Sequence, residues 1–359
     1  MRKFLYPLLM AMVWPGFPAA AQESCPDPVP ESEWSLIMPL AAQSMLLDIA
    51  RVGDTFVVVG DRGHVLVSED QGRSWTQKLT PTRMLLTGVW FHDRRLGWAV
   101  GHDAVILRTD DGGETWCLVH SAPELERPLF DIWFEDELNG FAVGGYGYFL
   151  RSSDGGRSWR EETLELLDDG SVAESGDAFD DDDFADEDEW GDDDWLDDDS
   201  VAADLHLNRI ILGDAGRLYL AAEAGTVFRS DDRGRTWVAL DPPYDGSFFN
   251  GLLLDDRSLL VFGLRGNMFR TWDGGDNWRP VRLPVDTSLF GGANLSDGGV
   301  IVVGTAGVML ISREGDRFRL VQRADRKALL SAMSSGDGAV IVVGEPGVER
   351  LESRALAAE

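Results

Sequence analysis

The spelling Ser/Thr-x-Asp-x-Gly-x-x-Trp occurs five times in this 359-residue chain, and nothing else in the sequence narrows the choice of fold as far. The copies occupy residues 68–75, 109–116, 152–159, 230–237 and 271–278. Their aspartates are Asp70, Asp111, Asp154, Asp232 and Asp273, and they close on Trp75, Trp116, Trp159, Trp237 and Trp278. A worn sixth copy at 312–318 is one residue shorter, with Glu314 near the acidic position and Phe318 for the tryptophan. Successive closing aromatics lie 41, 43, 78, 41 and 40 residues apart, so one spacing is nearly doubled.

Each copy follows an apolar run that ends in glycine, such as Val59-Gly60, Val100-Gly101, Val143-Gly144, Phe262-Gly263 and Val303-Gly304. With Ala222 counted for the fourth unit and Val343-Gly344 for the last, there are seven units. Short β-rich segments bounded by Gly and Asp turns at this period predict a propeller with four strands per blade, a to d from the axis outward. The octapeptide is then the c–d turn. Its Asp can accept backbone N–H groups of its own turn, its Gly supplies positive φ, and its Trp has a large body to bury between blades. These roles account for each residue without invoking a ligand.

The motif resembles the Asp-box, or BNR, repeat of sialidase-like propellers. More narrowly, Trp90-Phe91 through Leu96-Gly97-Trp98-Ala99-Val100-Gly101 and then Ile106-Leu107-Arg108-Thr109 resembles the photosystem II assembly and stability factor family of seven-bladed propellers. Trp133-Phe134, Leu138 to Gly144 and Leu150-Arg151-Ser152 repeat the pattern one blade later. The resemblance implies a non-enzymatic chaperone that binds membrane-protein subunits, often through an arginine-rich face. Similar bacterial propellers occur beside exporters of the resistance-nodulation-division class. Membership of the sialidases would imply hydrolysis instead. That chemistry needs an arginine cluster, a Tyr/Glu pair and an acid/base carboxyl. No Phe-Arg-Ile-Pro start motif is present, and the tyrosines Tyr146, Tyr148, Tyr219 and Tyr244 have no evident Glu partner. A scaffold with no cofactor, metal or catalytic residue is therefore the expectation, with a glycosidase-like hydrolase as the alternative.

Residues 1–21 carry Arg2 and Lys3, an apolar run and Ala19-Ala20-Ala21, which reads as a cleavable secretory signal and a periplasmic destination. Residues 22–31 are expected to be a flexible lead, 32–353 the propeller and 354–359 a tail. Trp34 to Leu40 resembles a d strand without its turn, so the N-terminal strand is expected to complete blade seven and close the ring. Cys25 and Cys117 can pair in an oxidising compartment, although nothing in the sequence requires it.

The doubled spacing holds an insert, residues 165–204, with twenty Asp and Glu and no Lys or Arg, against a formal net charge of −31 for the whole chain. Such a run cannot bury enough apolar surface to fold alone. Two readings fit it, a solvated spacer and a docking segment whose Phe179, Phe184, Trp190 and Trp195 bury on a partner; weak calcium binding is a third, without an EF-hand pattern. As a d–a loop it should share a face with the b–c turns. On that face the sequence places Arg83, Arg127 and Lys327 just upstream of strand a, and Arg62 and Arg265 in b–c turns, as candidate contacts to a partner's carboxylates or phosphates, with ordinary solvated surface charge as the other reading. One position per strand a is expected to face the axis: Asp48, Thr87, Asp131, Asn208, Asn250, Gly291 and Ser331. The acidic balance argues against nucleic acid and against direct docking on anionic lipid. The expected partner is a membrane-protein complex or transporter subunit on the periplasmic side, met by a free monomer.

Overall fold

A computed structural model describes residue 25, residues 29–167 and residues 204–353. Among these residues twenty-seven strands form seven antiparallel sheets. Blade one is β1 (Leu46–Val52), β2 (Thr55–Gly60), β3 (Val65–Ser68) and β4 (Thr76–Lys78). Blade two is β5 (Leu86–Phe91) to β8 (Cys117–His120), and blade three is β9 (Leu129–Phe134) to β12 (Arg160–Glu161). Blades four, five and six start at β13 (Leu207–Leu212), β17 (Phe248–Asp255) and β21 (Leu289–Asn294), each followed by three more strands in order. Blade seven has three: β25 (Leu329–Ser334), β26 (Val340–Gly344) and β27 (Gly347–Leu351). The seven-bladed propeller is thus as the repeats predict.

The glycine that ends each apolar run is explained by space. At Gly60, Gly101, Gly144, Gly263, Gly304 and Gly344 an added Cβ would lie 2.0–2.4 Å from the carbonyl oxygen just ahead of strand a in the same blade. That carbonyl accepts the N–H of the residue after the glycine in all seven blades, as in Asp61 to Met45 (3.0 Å) and His102 to Leu85 (2.9 Å). The fourth blade makes the same bond from Glu223 to His206 with Ala222 in the glycine's place. The clamp leaves one residue of each strand a unpaired as a bulge, between the pair at the glycine position and the next pair of the ladder. A bulge re-aims side chains. Here it turns the unpaired residue toward the axis.

The closing aromatics bury between neighbouring blades. Trp116 packs with Val57 and Leu107, Trp237 with Phe141 and Phe228, and Phe318 takes the same place among Leu260 and Leu310. A second device runs along five junctions. The strand-c arginines Arg108, Arg151, Arg229, Arg270 and Arg350 each donate to a carbonyl in the next blade's octapeptide turn, at 2.6–3.0 Å.

Ring closure differs from the expected strand exchange. Among the described residues no ladder joins residues 34–40 to β27. The Ser35 N–H donates to the Thr80 carbonyl (2.9 Å), the Thr80 N–H to Ser35 Oγ (2.9 Å), and the Met38 N–H to the Gln77 side chain (2.8 Å). These partners draw the segment toward blade one, while Met38 and Ala42 pack with Val348 of β27 against Ile341 and Val343. The N-terminal segment therefore seals the junction of blades seven and one as a strap. The ring is tied by packing and by Arg350, whose guanidinium reaches the Gln71 carbonyl of blade one (2.8 Å). Cys25 and Cys117 form a disulfide, which anchors the strap's start to β8 of blade two.

The start of the insert is also held. Trp237 donates its N–H to the Glu165 carbonyl (2.9 Å) and accepts that of Leu167 (2.7 Å), so the chain leaves from beside the start of blade four's outer strand. It returns where Gly147, in a b–c turn, donates to the Leu205 carbonyl (2.8 Å). The expectation that the insert lies wholly on the b–c face is thus corrected at its point of departure. Phe179, Phe184, Trp190 and Trp195 lie outside the described residues, as does the expected signal segment.

Candidate functional site

The octapeptide turns are closed systems of hydrogen bonds. Ser68 Oγ accepts the Gly72 N–H (2.8 Å) and donates to Asp70 (2.9 Å), whose carboxylate also accepts the Arg73 and Ser74 N–H groups and the Ser74 hydroxyl (2.6 Å). The pattern recurs at Asp111, Asp154 and Asp232 with Thr115, Ser158 and Thr236, and at Asp273 with the Asn277 amide. The side chain just before the tryptophan thus completes the shell, a role missed in the sequence. Hydrogen bonds from Ser74 hold Asp70 well below the usual carboxylate range, and those from Asn277 bring Asp273 down to about 2. All five carboxylates are spent on their own turns.

The basic candidates are distributed around the rim. Arg83 donates to the Trp34 carbonyl (2.7 Å) and so holds the strap. Arg127 pairs with Glu161 (2.9 Å) and lies over the Tyr148 ring. Arg62 pairs with its neighbour Asp61 (3.3 Å) while most of its side chain stays exposed. Arg265 and Lys327 are exposed, in blade five and ahead of blade seven. They do not form one arginine cluster.

What the fold does gather is at the axis. Pairing places Asp48, Gly88, Asp131, Arg209, Asn250, Gly291 and Ser331 at equivalent positions, opposite the last apolar residue of strand b. Thr87 and Asn208, expected in this ring, are instead the bulged residues of blades two and four, one position earlier. The shift brings in Arg209, which the sequence reading had passed over. Its guanidinium donates to both Asp48 oxygens (3.0 and 3.3 Å) and lies 3.3 Å from Asp131. Asp48 further accepts the Ser331 hydroxyl (3.1 Å) and the Val89 N–H (3.1 Å); Asp131 accepts the N–H groups of Ile132 and Ile210. Burial pushes the Asp131 carboxyl up to about 6, against the pull of Arg209, with Asp48 adding to the rise. The signal was present: aligned on the fully buried Leu46, Leu129 and Leu207, a charged residue follows two places later each time.

Above this floor the bulges present Leu47, Phe130, Phe249, Phe290 and Leu330, each half-buried, with Thr87 and Asn208 between them. The polar pair bridges blades, Thr87 donating to the Leu129 carbonyl (2.6 Å) and Asn208 to that of Phe248 (2.8 Å). The result is a bowl of about 310 Å³ at the mouth of the axis, apolar at its lip and ionic at its base.

The residues thus define an all-β propeller of seven blades, built on octapeptide turns and open as an apolar bowl at one end of its axis. Residues 27–126 match the family described as Photosynthesis system II assembly factor YCF48. The rice (Oryza sativa subsp. japonica) chloroplastic photosystem II stability/assembly factor HCF136 is 29% identical over 115 residues, which cover 29% of this chain and 27% of that protein. The chain thus spans about a quarter of the length of this curated relative. YCF48 from Cyanidioschyzon merolae superposes with a TM-score of 0.63 at 15% identity, covering 90% of this chain and 99% of its own. YCF48 bound to D1 peptide gives 0.62 at 16%, covering 89% and 96%. The chain is a seven-bladed propeller in fold, and its residues 27–126 resemble the photosystem II assembly-factor family.

Proposed function

We propose that this propeller is an exported, periplasmic and non-enzymatic scaffold that binds a membrane-protein complex and assists its assembly or activity. An exporter of the resistance-nodulation-division class is the candidate client outside photosynthesis. The observation that carries this reading is the ring of half-exposed apolar side chains at the axis, since an apolar patch held open by the fold marks an interaction site. A protein of the same fold and assembly-factor name has been seen with D1 peptide bound, which supports a polypeptide partner. The hydrolase alternative would need free carboxylates. The conspicuous ones, in the turns and at the axis, are committed to the scaffold.

The test is capture from detergent-solubilised membranes of the native host by the tagged full-length chain. Retention of a membrane-protein complex is expected, weakened when Phe179, Phe184, Trp190 and Trp195 are replaced by Ser, with an unchanged melting curve. Absence of any retained membrane protein, together with robust turnover of fluorogenic sialosides or aryl glycosides, overturns the reading.

A further inference from the structure

The charged floor of the axial bowl is neutralised to a degree that selects its occupant. Asp48 and Asp131 lie behind Arg209, with 2% and 7% of their side chains exposed, whereas 26% of the Arg209 side chain opens into the bowl. The group an entering ligand meets is therefore a guanidinium already shared by two carboxylates. An anion would find the positive charge spent, and two negative charges behind it. A cation would have to lose water beside a guanidinium, and the desolvation of an ion without a partner is expensive. Uncharged groups pay neither cost.

Two of the five N–H groups of the guanidinium donate to Asp48 and Nε lies 3.3 Å from Asp131; among the described residues the remaining two N–H groups have no protein acceptor. A carbonyl oxygen is the neutral acceptor that suits them. The walls supply the other half of the recognition. Phe249 and Phe290 lie 5.3 Å apart at 31°, and Phe130 stands 5.7 Å from His206, which is 4.8 Å from the exposed Tyr146. The aromatic surface thus runs from the bowl over its lip. At about 310 Å³ the cavity is at the lower end of the range for small ligands, enough for one or two side chains.

We propose that the axial bowl is a binding site for an uncharged aromatic or aliphatic residue of an extended client peptide, with that residue's backbone carbonyl accepting from Arg209. The proposal rests on the scaffold reading above and specifies its contact. Phe130, Phe249, Phe290, Leu47 and Leu330 hold the side chain, and the fold makes this apolar ring by placing a bulge at the same point of every blade.

The experiment uses the full-length chain and the blocked tetrapeptide acetyl-Gly-Phe-Leu-Gly-amide, with para-fluorophenylalanine for Phe, followed by fluorine NMR. Saturable line broadening is expected. The same peptide with Lys or Asp in place of Phe should compete about tenfold or more weakly, the scale on which a pocket discriminates a misfit side chain. Leu330→Trp, which fills the bowl from its lip, should abolish broadening with an unchanged melting curve. Because the competition arm needs only the wild-type protein, a variant that fails to fold does not remove the test. Absence of broadening, equal or better competition by the charged peptides, or unaltered binding in a folded Leu330→Trp protein overturns the proposal. If membrane-protein capture persists in any of those cases, only the bowl is wrong; if capture is lost as well, the scaffold reading falls with it.

Discussion

Replacing Arg209 by Met tests the axial ion triad, because it removes the shared cation and leaves the rest of the floor in place. Asp48 and Asp131 each keep two donors, Ser331 and Val89 for the first and Ile132 and Ile210 for the second. What they lose is the shared cation beside two carboxylates that are 2% and 7% exposed. Breaking a buried ion pair on one side costs about 3–5 kcal/mol, a large part of the stability of an ordinary domain. The cost should depend on pH with a definite sign. In the wild type the Asp131 pKa is raised to about 6, so its contribution to stability falls as pH rises from the unfolded value near 3.8 to about 6 and is then flat. Without Arg209 the Asp131 carboxyl rises further, so the variant continues to lose stability above pH 6, by about 1.4 kcal/mol per unit of added shift. Near pH 5 Asp131 is protonated in both proteins, the repulsion at the floor falls, and the variant should approach the wild type. Urea unfolding of both proteins at pH 5 and pH 7.5 measures the two gaps. A gap below about 1 kcal/mol at pH 7.5, or one that is the same at both pH values, would refute the triad.

The octapeptide turns predict that Asp232→Ala, which orphans the Thr236 hydroxyl and the Arg235 and Thr236 N–H groups, lowers stability by about 2 kcal/mol in denaturant titrations. Because all five turn aspartates have depressed pKa values, their stabilisation is complete above about pH 4 and should be lost as the wild type is acidified below it. Cys25→Ser should cost up to about 4.6 kcal/mol, the loop-closure scale for cysteines 92 residues apart, and reducing agent should lower the wild-type melting temperature to that of the variant. His64 is fully buried with neither ring nitrogen paired, and burial lowers its pKa, with Arg62 assisting and Asp61 opposing. Its neutral form stabilises the fold above its unfolded pKa of about 6.5, and that contribution is lost as pH falls. His64→Leu should therefore gain on the wild type between pH 7.5 and pH 5.5; a constant difference would contradict this.

The chain's own order determined what depends on neighbours in sequence. Asp70 bonds Ser68, Arg73 and Ser74, all within four residues, so the turn could be read directly, and with the glycine-ended apolar runs its period counted out to seven blades. The inter-blade place of the closing tryptophans followed from the same count. Tertiary structure decided whatever depends on the ring. Arg209 meets Asp48 across 161 positions, and no local pattern pairs them; only closure of the circle puts opposite blades within reach at the axis. The strand-a bulge then changed which residues those are, since the carbonyl clamp onto the strand-b glycine shifts pairing by one residue and exchanges Thr87 and Asn208 for Gly88 and Arg209. The N-terminal segment shows the same limit. Trp34 to Leu40 is spelled like an outer strand, but it takes its hydrogen bonds from Gln77 and Thr80 in blade one, and that competition among acceptors exists only once the blades are assembled.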